Sequence, residues 1–283
     1  MRLRKNKAKP WIRWQAFLVG EAVLAGLIWL SLAQRPDLSI SLSNVPSPTT
    51  LGVIQAPEST LSIEEKVFGY STAGRPIRGY VIGSGAERLL LFASIHSNEK
   101  GTAVLLEKLV DEIRANPERI AKNKQIIVIP LLNPDGFYDR KDKLNANGVN
   151  LNLNFSTNDW KKYALGYFAG NAPFSEKESQ VLRAVVAEYD PELMLAFHAR
   201  GSLVNPEVDQ ISKRWALWYA GKTGYQYFTG WDYPGTATKW FYQTAGHPAV
   251  TIELTNYLAD DWVINRPALW ELVSEETITL PPL

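Results

Sequence analysis

Residues 88–99 read RLLLFASIHSNE. Leu89 to Ala93 are apolar without a break, and so short and continuous a run suits a strand buried on both faces. Just beyond it stand His96 and Glu99, an imidazole and a carboxylate three residues apart. Three more runs share this character: Gln125–Leu132 (QIIVIPLL), Leu193–His198 (LMLAFH) and Ala249–Leu254 (AVTIEL). Between them the apolar period changes. Leu105, Leu106, Leu109, Val110 and Ile113 recur at helical spacing, with Pro117 after the predicted end. Ser175 and Glu178 predict a capping box ahead of Val181, Leu182, Val185 and Val186. Ile211, Trp215 and Trp218 predict one face of a third helix. Strands alternating with helices predict an α/β domain with a mostly parallel sheet covered on both sides. Ligands bind such sheets beyond the carboxyl ends of the strands. His96, Glu99, His198 and Glu253 all fall there.

Composition narrows the functions open to such a domain. The 283 residues carry a formal net charge of +1, which hides an asymmetry. Residues 1–35 hold seven Lys/Arg and one acid, Glu21, leaving 23 basic and 28 acidic residues in the rest. A mildly acidic body argues against a nucleic-acid partner. The absence of cysteine excludes disulfide scaffolds, Cys-ligated zinc, iron–sulfur clusters and thiol nucleophiles. Histidine chemistry must come from His96, His198 and His247. The last, between Gly246 and Pro248, reads as a turn residue.

Residues 1–14 carry six positive charges and no acid, and Ala16–Ala33 has a single charge in 18 residues. That length suffices for a membrane-spanning helix, and the basic flank would stay cytoplasmic. The same stretch fits a signal peptide cleaved after Ala33, where Ser31 and Ala33 supply the small residues a signal peptidase reads. The predicted organisation is therefore a basic flank plus hydrophobic helix (1–34), a Ser/Pro/Thr-rich linker (35–62) and a catalytic domain (63–283). The domain would sit outside the cytoplasm, anchored to the membrane or secreted.

An isolated H-x-x-E pair is usually a surface or cap interaction, a lone His198 usually a satisfied core histidine, and a lone Glu253 a strand-end carboxylate. Delivered jointly to strand ends, they suit a metal. Catalytic zinc takes three protein ligands, a His₂Glu set among them, with a fourth position open. Glu253 would then be a free carboxylate placed to accept a proton from water.

Seven segments, in order, resemble the zinc metallocarboxypeptidase family, and within it the bacterial murein-peptide amidases. They are GYSTAGRPIRGYVIGSG (69–85), SIHSNEKGT (94–102), IPLLNPDGF (129–137), LNANGVNLNLNF (144–155), FSEKESQVL (174–182), Phe197-His198 and HPAVTIEL (247–254). The likeness covers roughly residues 66–275. It implies a single domain with a mixed, mostly parallel central sheet flanked by helices. It implies one Zn²⁺ per chain on His96, Glu99 and His198, with Glu253 as general base. It also marks departures. Lys143 stands where the family has the arginine that stabilises the oxyanion. A lysine keeps the charge and loses the planar fork. Asn150 replaces the aspartate that orients a zinc-bound histidine, beside a retained Asn152. Leu153 replaces the arginine that grips the substrate's terminal carboxylate. Trp231 occupies the place of the mobile tyrosine, with Tyr233 two residues on. Arg200, next door but one to His198, is an alternative grip for an anion.

The resemblance and the N-terminal segment together therefore predict an exported or membrane-anchored zinc hydrolase of small peptides, peptidoglycan-derived ones among them. An aspartoacylase-like deacylase of N-acyl amino acids shares the H-x-x-E loop and tolerates other substrate grips. A non-catalytic, membrane-tethered binding module would explain Asn150, Leu153 and Trp231. The ten tryptophans also suit a peptide or glycan surface, though helix spacing assigns Trp215 and Trp218 to the core.

Overall fold

The four apolar runs become the middle of one sheet. A computed structural model describes residues 61–283, and these form one compact unit. The predicted hydrophobic helix at 1–34 and all but the last two residues of the linker lie outside the described residues. Among the described residues, no helix is long and apolar enough to cross a membrane.

The strands are β1 (Ile63–Tyr70), β2 (Pro76–Ile82), β3 (Glu87–Ala93), β4 (Lys124–Ile129), β5 (Tyr163–Ala164), β6 (Tyr167–Phe168), β7 (Leu193–Ala199), β8 (Leu203–Pro206), β9 (Gln226–Tyr227) and β10 (Ala249–Leu254). Eight of them form a sheet in the order β1-β2-β4-β3-β7-β10-β8-β9, while β5 and β6 make a separate hairpin. The centre, β4-β3-β7-β10, is parallel. The joins β1–β2, β2–β4 and β10–β8 are antiparallel. The sheet is thus mixed and mostly parallel at its core, as the sequence predicts. β7 is buried along its whole length, which is why it reads as a continuous apolar run rather than an alternating one.

Two apolar layers cover the sheet. One joins it to α1 (Lys100–Ala115), α4 (Gln210–Thr223) and α6 (Trp262–Ser274), and the other to α3 (Lys177–Tyr189) and α5 (Ala237–Ala245). A short helix, α2 (Pro134–Asp139), follows β4. The five apolar positions predicted for α1 are all buried.

Two local expectations need correction. The capping box at α3 does not form, and the helix starts at Lys177 without a side-chain cap. Ser175 Oγ donates to Glu176, and Glu178 instead accepts from the Thr72 backbone N–H (3.0 Å) and Asn145 Nδ2 (3.3 Å). Tertiary partners thus outbid the local motif. In α4 the buried face is Ser212, Ala216, Trp218, Tyr219 and Ala220, while Ile211 is exposed and Trp215 half-buried. Ser212 turns inward because its Oγ accepts from the Ala249 N–H at 3.0 Å, which rotates the helix away from the predicted stripe.

One contact ties the fold to the loop carrying Glu99. Gly101 N–H donates to the Tyr257 carbonyl at 2.8 Å, and a Cβ at Gly101 would lie 2.0 Å from the Ala259 carbonyl oxygen. Gly101→Ala is therefore expected to cost about 1–3 kcal/mol, as overpacking does. Urea denaturation of the purified variant checks this, and unchanged stability would show that the 257–259 loop yields freely.

Candidate active site

The site begins with a break in extended backbone just after β3. Ser94 has φ 48°, and its Oγ donates to the Glu99 carbonyl at 3.2 Å. Thr102 Oγ1 donates to the same carbonyl at 2.6 Å. These bonds wind residues 94–102 into a tight turn that folds His96 and Glu99 onto each other. His96 Nδ1 lies 2.8 Å from Glu99 Oε1. The neighbouring strand, β7, brings His198, whose Nδ1 is 3.1 Å from Glu99 Oε2 and 3.2 Å from His96 Nδ1. All three residues are buried, and one ligand atom from each lies within 4.8 Å of the others.

This donor set fits zinc. Ligands about 2.0–2.2 Å from a tetrahedral ion sit roughly 3.3 Å apart, close to the spacings found here. Burial pushes the Glu99 carboxyl up, but the imidazoles of His96 and His198 outweigh it and hold it at about 2. A ligand kept ionised in this way is ready to bind a cation.

The outward nitrogen of His96 is also fixed. Asn150 Oδ1 accepts from the Asn152 backbone N–H at 3.1 Å, so this atom is the acceptor of the amide. His96 Nε2, 3.0 Å away, therefore donates to it, which leaves Nδ1 bare for a metal. Asn150 thus does the orienting without adding a negative charge. Asn150→Ala is expected to weaken zinc binding about 10–100-fold, and Asn150→Asp to strengthen it. Competition with a fluorescent chelator measures both, and unchanged affinity in both variants would remove Asn150 from the site.

Glu253 lies on β10 directly opposite His198 in the parallel register. Burial raises its carboxyl, against His198, with Glu99 and against Lys143, to about 7. A group so poised exchanges protons readily near neutral pH.

These groups open into a cleft of about 390 Å³, and Lys143, Asn152, Arg200, Trp231 and Tyr233 also line it. The structure therefore brings every residue singled out in the sequence to one place. Lys143 Nζ stands 4.8 Å from the Tyr167 ring centroid, in cation–π range. Asn152 Nδ2 is 3.5 Å from His198 Nε2, and its Oδ1 accepts from the Ala237 N–H at 3.0 Å. Arg200 is exposed and lies over Tyr257, 5.7 Å from the ring centroid. Trp231 and Tyr233 are partners rather than alternatives, with rings stacked at 25° and centroids 5.9 Å apart. Leu153 is buried at the wall, its carbonyl accepting from Trp160 Nε1 at 2.9 Å. His247 sits in the turn between α5 and β10, apart from the metal ligands.

The cleft also contains residues the sequence reading missed, among them Asn205, Glu207, Thr251 and Tyr167. Thr251 carried a signal, since it precedes Glu253 by two on a strand and so shares its face. Asn205 and Glu207 belong to the short β8 and its continuation, and Tyr167 to a two-residue strand. Such pieces have no period to detect.

Comparison with known proteins gives the following. The family profile described as zinc carboxypeptidase matches residues 58–223, more than half of the chain. Murein peptide amidase A of Escherichia coli (strain K12) is 27% identical over 145 residues, covering 46% of this chain and 57% of that protein. The match thus spans just over half the length of that curated relative. Among solved structures, murein-tripeptide amidase from Escherichia coli O157 superposes with a TM-score of 0.61 at 20% identity, covering 76% of this chain and 93% of that one. Carboxypeptidase A from Helicoverpa armigera superposes with a TM-score of 0.61 at 21% identity, covering 74% and 66%. At these identities the two structures establish the shared fold.

Proposed function

The chain belongs to the zinc carboxypeptidase family, and on that footing we propose that it is a zinc hydrolase cleaving amide bonds in small peptides derived from the cell wall. The observation that carries the reading is the convergence of His96, Glu99 and His198 within 4.8 Å, beside the buried carboxyl of Glu253, in a cleft of about 390 Å³. Zinc held there supplies a Lewis acid that polarises the scissile carbonyl and acidifies water. Glu253 takes a proton from the attacking water and returns it to the departing amine. Lys143 faces the charge that develops on the carbonyl oxygen. Asn152 and the Trp231–Tyr233 pair hold the substrate, and Arg200 offers a positive charge at the mouth. The name of the E. coli relative supports the cell-wall substrate. The basic flank and apolar run of residues 1–34 support export, with the domain outside the cytoplasm.

The test is hydrolysis by the full chain with one equivalent of zinc. Release of a free amine from muropeptide-type tripeptides, abolished by chelator and restored by zinc, is expected. Release from simple N-acyl amino acids but from no peptide would favour a deacylase. Zinc binding without any hydrolysis would refute the enzyme reading.

A further inference from the structure

One wall of the cleft does not belong to the main sheet. It is the hairpin β5–β6, whose Leu165 and Tyr167 line the cleft together with Lys143. Tyr163 pairs with Phe168 and Ala164 with Tyr167, so Leu165 and Gly166 alone form the turn. Their φ angles are 53° and 78°, the two positive values that a tight hairpin turn demands. A hairpin this short is not stable by itself, and the site holds it in place. The Asn150 N–H donates to the Phe168 carbonyl at 3.0 Å. Tyr167 is thereby tied, through its neighbour, to the residue that orients His96. Lys143 leads into the same segment, whose turn is closed by the Asn145 N–H donating to the Val149 carbonyl at 2.9 Å.

Among the described residues no side chain forms an ion pair or a hydrogen bond with the Lys143 ammonium. It meets the Tyr167 ring instead, 4.8 Å from the centroid, and both residues are half-buried. An aromatic face attracts an ammonium without neutralising it, whereas a carboxylate in that place would cancel the charge. The full charge therefore stays on offer, and it is felt at Glu253. A seat matters because the lysine stem is long and flexible and lacks the planar fork of an arginine. A charge lowers a barrier most when it already stands in place as the opposite charge develops.

We propose that Tyr167 is a positioning residue, whose ring seats the Lys143 ammonium ready for the negative charge that develops on the scissile carbonyl oxygen. The seat is the ring and not the hydroxyl, which has no hydrogen-bond partner among the described residues. The inference rests on the hydrolase reading above and adds what makes a lysine serviceable at this point.

The test uses the zinc-loaded full chain and a muropeptide-type tripeptide. Tyr167→Leu should lower kcat about 3- to 30-fold, the range of a cation–π contact. KM should change little, because the charge that Lys143 meets exists only in the transition state. Tyr167→Phe keeps the ring and should recover most of the loss. In a Lys143→Met background, Tyr167→Leu should have no further effect. A second readout needs no turnover. Reductive methylation with ¹³C-formaldehyde labels lysines and keeps their charge, and the methyl signal missing from Lys143→Met belongs to Lys143. The ring current of Tyr167 should shift that signal upfield in the wild type and in Tyr167→Phe, but not in Tyr167→Leu. An unshifted Lys143 signal, a kcat that Tyr167→Leu leaves unchanged, a Tyr167→Phe variant as slow as Tyr167→Leu, or a Tyr167 effect that survives Lys143→Met overturns the proposal and leaves the hydrolase reading untouched. A shifted signal with no tripeptide hydrolysed overturns the hydrolase reading and keeps the seat. The wild-type spectrum decides on the seat even if Tyr167→Leu does not fold.

Discussion

Replacing Glu253 with glutamine is expected to abolish turnover and leave zinc in place. The carboxylate is only 8% exposed, so in the bound complex little bulk water reaches it to act in its stead. Glutamine has the same shape and hydrogen-bonding reach but cannot accept a proton from water. General acid–base catalysis is worth about 10²–10⁴-fold, and Glu253 is assigned both transfers, so kcat should fall about 10³-fold or more. The ligand atoms on His96, Glu99 and His198 are untouched, so zinc per chain should not change. The variant also removes a negative charge close to Glu99, the neighbour whose repulsion helps to raise the Glu253 carboxyl. Elemental analysis beside single-turnover kinetics separates the two quantities. Wild-type turnover in the variant would move the general base to another group. Lost zinc would mean that Glu253 belongs to the metal's ligand set.

How much of this was legible in the sequence depends on the reach of the interaction concerned. β10 was read to the residue and β3, β4 and β7 to within a few, because strands buried on both faces leave continuous apolar runs between polar turns. The face of α1 was read correctly because Leu105, Leu106, Leu109, Val110 and Ile113 all meet the same layer. The cluster of His96, Glu99 and His198 was legible because its chemistry is scarce, with only three histidines to place. What failed was decided at a distance. Glu178 left its capping box for partners at Thr72 and Asn145, more than thirty residues away at least. Ser212 turned α4 toward β10 through one hydrogen bond. Glu207 is visible as a cleft residue only once β8 is paired with β10, because nothing in its neighbours marks a strand of four residues. The departures at Lys143, Asn150 and Leu153 were read as losses. The structure gives two of them new surroundings, with Lys143 against Tyr167 and Asn150 still orienting His96.

Replacing Glu99 with alanine is expected to empty the metal site. Glu99 is the one carboxylate of the three and contacts both of the others, at 2.8 Å to His96 and 3.1 Å to His198, and it is 3% exposed. Its charge does two things at once. It supplies one of three ligand atoms, and it offsets the cation brought into a buried site. Without it, two neutral imidazoles face a divalent ion, and two protein ligands do not make a stable zinc site in buried surroundings. Zinc should therefore drop from near one per chain to near zero after dialysis without chelator. A second readout is independent of counting. A ligand that binds only the folded state at a thousand times its Kd adds about 4 kcal/mol, which for a domain of this size raises Tm by roughly 10 °C. The wild type should show that shift on adding zinc, and Glu99→Ala should not. If the variant keeps both its zinc and its shift, the ion sits elsewhere, and the convergence of His96, Glu99 and His198 is a buried polar cluster that stabilises the turn after β3.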